Sequence, residues 1–270
     1  MAPCTFVDSC GQKFKCGPTW FGTTELLLTK YYRTDGVRVG TATSAASDER
    51  VKFDFNATPR VTLGVIGEDG LGLRGQWFEY SHAEDANVAA TNINPPGQRF
   101  AIDAYTVDLE VFEEFQVHEN WGLELSGGFR HSGFEEVMRD NAEIRTHDFN
   151  GIGPVVGIEA RRRFLGGRLY GRFQAATLFG DKHRDNDSAG DTEELRDSIH
   201  TQLEIAGGFR AERPLGKAAT LSWWAGFESA DWLAFSSNFN NDGGTIREGQ
   251  WSGNADVGFA SFVFGLGIAR

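Results

Sequence analysis

The chain is 270 residues long, carries 26 basic against 38 acidic side chains for a formal charge of −12, and combines 34 glycines with 13% aromatic residues. This negative balance excludes nucleic acid as a partner, because no positive field holds phosphates, and no apolar run approaches the ~20 residues of a membrane-spanning helix, in line with a mean hydropathy of −0.36. A spanning β-barrel survives both exclusions, since it places an apolar residue only at every second position.

Residues 1–19 read as a leader or periplasmic segment that holds all three cysteines, Cys4, Cys10 and Cys16. Their spacing, with no histidine nearby, is not a zinc pattern. One bridge and one free thiol are expected in an oxidising compartment. Met1 to Cys4 shows neither a basic-then-apolar signal nor a lipoprotein box, so export would rest on a signal absent from this sequence.

From Trp20 onward the pattern is period two, the mark of strands with one apolar and one polar face. About ten strands are predicted, near Trp20 to Arg33, Arg50 to Gly67, Leu71 to His82, Ala101 to Phe115, Trp121 to His131, Asp148 to Arg162, Gly167 to Asp181, Ser198 to Glu212, Ala218 to Trp232 and Asp256 to Arg270. Ile199, Thr201, Leu203, Ile205, Gly207 and Phe209 fall on one face of the eighth, with His200, Gln202, Glu204 and Arg210 on the other. Each strand is long enough for a tilted membrane crossing. Four connections are short (Glu68 to Gly70, Gln116 to Asn120, Arg163 to Gly166, Arg213 to Lys217) and five are long and polar (Thr34 to Glu49, Ala83 to Phe100, Ser132 to His147, Lys182 to Asp197, Leu233 to Ala255). Strict alternation of short and long connections predicts an all-β fold: an up-and-down antiparallel transmembrane barrel over residues 20–270, with periplasmic turns and outer loops, in a bacterial outer membrane.

A soluble barrel would reverse the faces. The polar face, however, is poor in Lys and rich in Arg, Glu, Gln and Tyr, which suits a lumen where guanidinium forks meet carboxylates. The predicted lumen side chains are Glu25, Arg60, Arg74, Asp108, Glu110, Glu124, Arg130, Glu159, Arg161, Arg168, Tyr170, Arg172, Glu204, Arg210 and Glu228. Aromatic residues near strand ends predict two membrane girdles, with Trp20 and Trp121 low and Trp77, Tyr80, Phe129, Phe179 and Trp232 high.

Trp20-Phe-Gly22, Glu25-Leu-Leu-Leu28, Phe53-Asp-Phe55, Pro59 to Gly64, Gly70 to Phe78, Gly151-Ile-Gly-Pro154, Gly157 to Arg161, Leu169-Tyr-Gly171, Leu178-Phe-Gly-Asp181 and Phe262 to Gly267 follow one another in the order found in a known group. Across most of the chain after Trp20, the sequence resembles the family of pore-forming outer-membrane proteins named after the Legionella major outer membrane protein. The resemblance implies an outer-membrane β-barrel of the pore-forming type and brings no catalytic residues. The chain ends Ile268-Ala269-Arg270 instead of on an aromatic residue, which leaves the alternating Phe262, Phe264, Leu266 and Ile268 as the expected signal to the barrel-assembly machinery.

About ten strands predicts a narrow or blocked pore, since eight-stranded interiors are filled by side chains and open channels occur near sixteen. The opposed acidic and basic walls either impose a transverse field on a passing solute or pair and plug the lumen; ten strands favour the plug. The expected function is a small porin-like pore for small polar solutes or ions, of weak cation preference and surrounded by outer-membrane lipid. The alternatives are a non-conducting structural or surface-recognition barrel and an omptin-like hydrolase at the mouth. The hydrolase would rest on His147 beside Asp148, with Asp181 and Asp185 across the mouth, as a water-activating pair. His82, His131, His183 and His200 also map to the outer rim, where polar residues are ordinary, so no enzyme activity is expected. Asp185, Asp187 and Gly190 imitate the start of a calcium loop, but Ala189 and Arg196 stand where ligands are needed. No metal and no cofactor are expected.

Overall fold

The computed structural model describes residues 5–7, 13–15, 17–33, 53–85, 99–139, 144–186, 191–216, 219–236 and 255–270. Cys4, Cys10, Cys16, Asp187, Gly190 and most of the predicted loop residues 34–49, 83–100 and 233–255 lie outside that set. A two-stranded ribbon, β1 (Thr5–Val7) with β2 (Lys13–Lys15), precedes the barrel.

Ten strands then close on themselves: β3 (Thr19–Arg33), β4 (Asn56–Ile66), β5 (Leu71–Asp85), β6 (Arg99–His118), β7 (Trp121–Arg139), β8 (Ile144–Phe164), β9 (Gly167–Asn186), β10 (Asp191–Leu215), β11 (Ala219–Ser236) and β12 (Ala255–Ala269). Every strand pairs antiparallel with its chain neighbours, and β12 returns to β3 from Ala269↔Phe21 to Val257↔Arg33, so the sheet has no free edge. All ten predicted strands are present. Three of the four short connections are tighter than expected, the β4–β5 turn taking residues 67–70 instead, and Leu165 and Gly166 alone, both at positive φ, turn β8 into β9.

The outer ends depart from expectation. Ser132 to His147 and Lys182 to Asp197, read as loops, are largely strand: β7 runs to Arg139, β8 starts at Ile144, β9 runs to Asn186 and β10 starts at Asp191. The cause is a reversal of the faces. Along β8 the outward side chains from Phe164 to Ile152 are mostly apolar and exposed. Twelve residues of strand make about 40 Å, or roughly 30 Å of height at a ~40° tilt, which matches an outer-membrane belt. Beyond this level the outward positions become polar: Trp77 gives way to Glu79, Val107 to Asp103, Phe129 to Glu135, Ile152 to Asp148 and Phe179 to Asp181, while Ile102, Phe134 and Phe149 turn inward and are buried. Above the membrane the barrel is therefore built like a water-soluble one, apolar within and polar without. A pattern that inverts midway reads as the end of a strand.

Candidate functional site

All fifteen side chains expected in the lumen face the barrel interior, because each shares the parity of its strand's buried residues. Twelve of them, all but Arg168, Tyr170 and Arg210, are joined into chords that cross the barrel. Arg130, fully buried on β7, forks both carboxylate oxygens of Asp108 at 2.7 Å and reaches Gln202 at 3.2 Å and Glu204 on β10. Arg60 on β4 holds Glu228 on β11 at 2.6 Å and also Glu25, and Arg172 takes the second oxygen of Glu228 at 2.8 Å. Arg74 bridges Glu110 at 2.7 Å and Glu124 at 2.5 Å, and Arg161 binds Glu114 at 2.6 Å, Glu159 at 2.5 Å and Glu124. Gln174 donates to Glu110 at 2.7 Å across three strand intervals, and Trp224 Nε1 donates to Glu25 at 2.7 Å. Five arginines, one glutamine and one tryptophan thus satisfy carboxylates that would be very costly to bury alone. Two inward glycines leave floor for the larger groups: a Cβ on Gly226 would stand 2.7 Å from the Tyr170 hydroxyl, and one on Gly265 would stand 2.0 Å from the Trp224 ring.

A second layer lies above the ionic one. Tyr31, Phe53, Tyr80, Phe100, Ile102, Phe134, Phe149, Leu178, Trp232, Phe235, Val257 and Phe259 form a buried apolar cluster across the outer mouth. Phe235, wholly buried, stands 4.7 Å from the Phe134 ring, 5.0 Å from Trp232 and 4.9 Å from His200. Tyr80 and Trp232 had been expected in the outer girdle; they are instead 1% and 2% exposed inside this cluster, whereas Trp20, Trp77, Trp121, Phe129 and Phe179 do face outward. The reason is parity: Tyr80 is three residues from outward Trp77, so it must point in. Between the two layers a cavity of about 30 Å³, bordered by Arg60, Gln76, Gln202, Trp232 and Phe259, has room for a water or two.

Polar groups are set into the apolar layer: Lys182 Nζ donates to the Phe235 carbonyl and sits 5.0 Å over its ring, and Glu136 gathers a cluster of its own. Glu136 accepts both Arg33 Nη1 contacts at 2.8 Å and a bond from Tyr31, and lies 3.5 Å from His147 Nδ1. Burial alone would raise the Glu136 carboxyl; Arg33 and His147 outweigh it and bring it down to about 2. Burial also pushes the His147 imidazole down. This geometry does not assemble the His147 and Asp148 pair considered from the sequence. Adjacent strand residues face opposite ways, so His147 stacks inside on Phe235, while Asp148 lies outside with His183 Nδ1 at 3.4 Å. His200 is also interior, whereas His131 is outward, 2.8 Å from Asn150.

Sequence reasoning missed Tyr31, Arg33, Glu136, Gln174, Gln202 and Phe235. Gln174 and Gln202 share the parity of the expected lumen residues and were within reach of the same rule. Phe262, Phe264, Leu266 and Ile268 are each about half exposed along the outer face of β12.

A family model described as Legionella pneumophila major outer membrane protein precursor matches residues 19–268. No curated protein matches the chain. Among solved structures, the outer membrane protease OmpT from Escherichia coli superposes with a TM-score of 0.50 at 12% identity, covering 94% of this chain and 96% of that one. At that identity the likeness is one of fold. The toluene transporters TodX of Pseudomonas putida (TM-score 0.34, 6% identity, 95% and 90% covered) and TbuX of Ralstonia pickettii (0.35, 7%, 94% and 90%) are more distant.

Proposed function

Since the chain belongs to the family of the Legionella pneumophila major outer membrane protein, and is an outer-membrane β-barrel, we propose that it is a small porin-like pore, closed at rest, that passes small polar solutes or ions when its outer aromatic layer gives way. One observation carries this reading. The interior is lined mainly by polar and charged groups from Arg161 at the short-turn end up to Gln202, with a small apolar cluster of Leu27, Trp224 and Val263 on the β11–β12–β3 wall, and the larger apolar layer centred on Phe235 lies between that column and the outer mouth. In the column carboxylates outnumber guanidiniums, which supports a preference for cations. The outward stripe Phe262, Phe264, Leu266 and Ile268 is the segment expected to engage the barrel-assembly machinery.

A second reading is a non-conducting structural or surface-recognition barrel, favoured by the buried chord from Asp108 through Arg130 to Glu204. Planar-bilayer recordings separate the two. Wild-type protein is expected to be nearly silent with rare small openings, and a Phe149→Ala, Phe235→Ala double variant that keeps its heat-modifiable gel migration is expected to conduct steadily, favouring K⁺ over Cl⁻. A folded variant as silent as the wild type would leave the non-conducting barrel.

A further inference from the structure

At the short-turn end the interior carries a row of like charges that folding alone does not explain. Arg163 on β8 stands in register with Arg168 on β9, and Arg168 stands in register with Arg210 on β10. Directly paired side chains on one face lie about 5 Å apart at Cβ, and like charges so placed repel. Among the described residues one carboxylate is ion-paired with the row, Glu212, 3.5 Å from Arg168 with both side chains about 40% exposed, while Glu159 acts on Arg210 at longer range. Arg161, one pair deeper, is already taken by Glu114, Glu124 and Glu159. Arg210 is held in place by rings, its guanidinium 4.6 Å over Trp224 and 5.8 Å over Tyr170, and its Nε is buried with no hydrogen-bond partner among the described residues. The three arginines and Glu212 line a groove of about 460 Å³ whose rim is the β8–β9 hairpin tip, Phe164 and Leu165. That tip is itself strained, since Leu165 adopts φ 46°, a region that favours glycine or asparagine.

We propose that this groove is a binding site for a soluble phosphate-type oxyanion, taken up from the side on which β3 begins and β12 ends. An even strand number puts that end in the periplasm. Guanidinium forks at about 5 Å intervals match an anion with several terminal oxygens, which would bridge neighbouring arginines and relieve their repulsion. A lipid phosphate offers the same chemistry from a different source, but Arg163, Arg168 and Arg210 share the inward parity of Arg161 and Tyr170, so they face the lumen mouth and not the bilayer. The outward arginines of this end are Arg162, stacked 5.4 Å over Trp121, and Arg213. The site holds whether or not the barrel conducts.

Calorimetric titration of the full-length protein in neutral detergent at low ionic strength, with inorganic pyrophosphate as the probe, tests it. Saturable binding below about 1 mM is expected. Arg168→Gln should weaken it about ten-fold or more, the worth of a charge-assisted bond. Glu212→Gln, which removes the competing carboxylate, should tighten it several-fold, and Arg213→Gln, on the outer face, should leave it unchanged. Heat-modifiable migration verifies that each variant is folded. Absence of saturable binding, equal affinity in Arg168→Gln and wild type, or binding only when phosphatidylglycerol is present in the micelle would each overturn the assignment.

Discussion

Within the membrane the barrel is apolar outside and charged inside; a few residues further along the same strands it is charged outside and apolar inside. β7 carries both halves. Leu125 and Phe129 face lipid while Glu124 and Arg130 face in, and then Glu135 faces water while Phe134 is buried. Alternation is fixed by the pleat, so the strand cannot change which parity points inward; what changes is which chemistry occupies that parity. The two regions also hold themselves together differently. The membrane half relies on directional ion pairs strung across the lumen, and the outer half on packed rings around one buried carboxylate.

The largest effect is expected where that contrast is sharpest. Arg130→Ala leaves Asp108 and Glu204 buried without their cation, and should cost about 3–5 kcal/mol in urea unfolding of the micelle-bound barrel. Combining it with Asp108→Asn and Glu204→Gln should recover much of the loss. Next, an arginine placed on the outer face should be costly only within the belt: about 2–4 kcal/mol for Leu125→Arg, and within about 0.5 kcal/mol for Glu135→Arg on the same strand. Equal costs at the two positions would erase the boundary drawn between them.

Acid should loosen the outer half in a way traceable to Glu136. Its carboxyl, ordinarily near 4.5, is down at about 2, so the stability it adds is complete above about 4.5 and is lost as pH falls through about 2. His147 acts in the same direction: buried and lowered, it resists the proton that the unfolded chain accepts below about 6.5, so acid favours unfolding there too. The stability difference between wild type and Glu136→Gln is therefore expected to shrink between pH 4.5 and 2, as followed by unfolding titrations at each pH. The smallest change concerns the hairpin tip. Leu165→Asn places a residue that tolerates positive φ where leucine is strained, and should raise thermal stability by about 0.5–1 kcal/mol.

Much of this was legible in the sequence because the in-membrane alternation is strong and runs for whole strands. All ten strands and all fifteen interior side chains follow from parity alone. What was lost has a common cause. Where the chemistry of the two faces exchanges, as at Ser132 to His147, a continuing strand looks like a polar loop, and the girdle rule then takes in aromatic residues near strand ends regardless of face. Tyr80 and Trp232 were misplaced in that way, although counting from Trp77 and from Glu228 puts both inside. The pairing of His147 with Asp148 failed on the same count. The arginine row is legible by hairpin arithmetic about Leu165 and Gly166, which sets Arg163 opposite Arg168; the partners of Glu136 are not, because Arg33, Tyr31 and His147 meet only after the barrel closes.

The central claim is that the faces exchange chemistry at the outer edge of the membrane. Single spin labels at outward positions of β7 and β8 test it most directly, in liposomes and in a background with Cys4, Cys10 and Cys16 replaced by Ser. Labels at Leu125, Phe129 and Val156 are expected to be relaxed chiefly by oxygen, which partitions into lipid, and labels at Glu135 and Asp148 chiefly by a water-soluble nickel chelate. Oxygen-dominated relaxation at Glu135 and Asp148 would contradict the account.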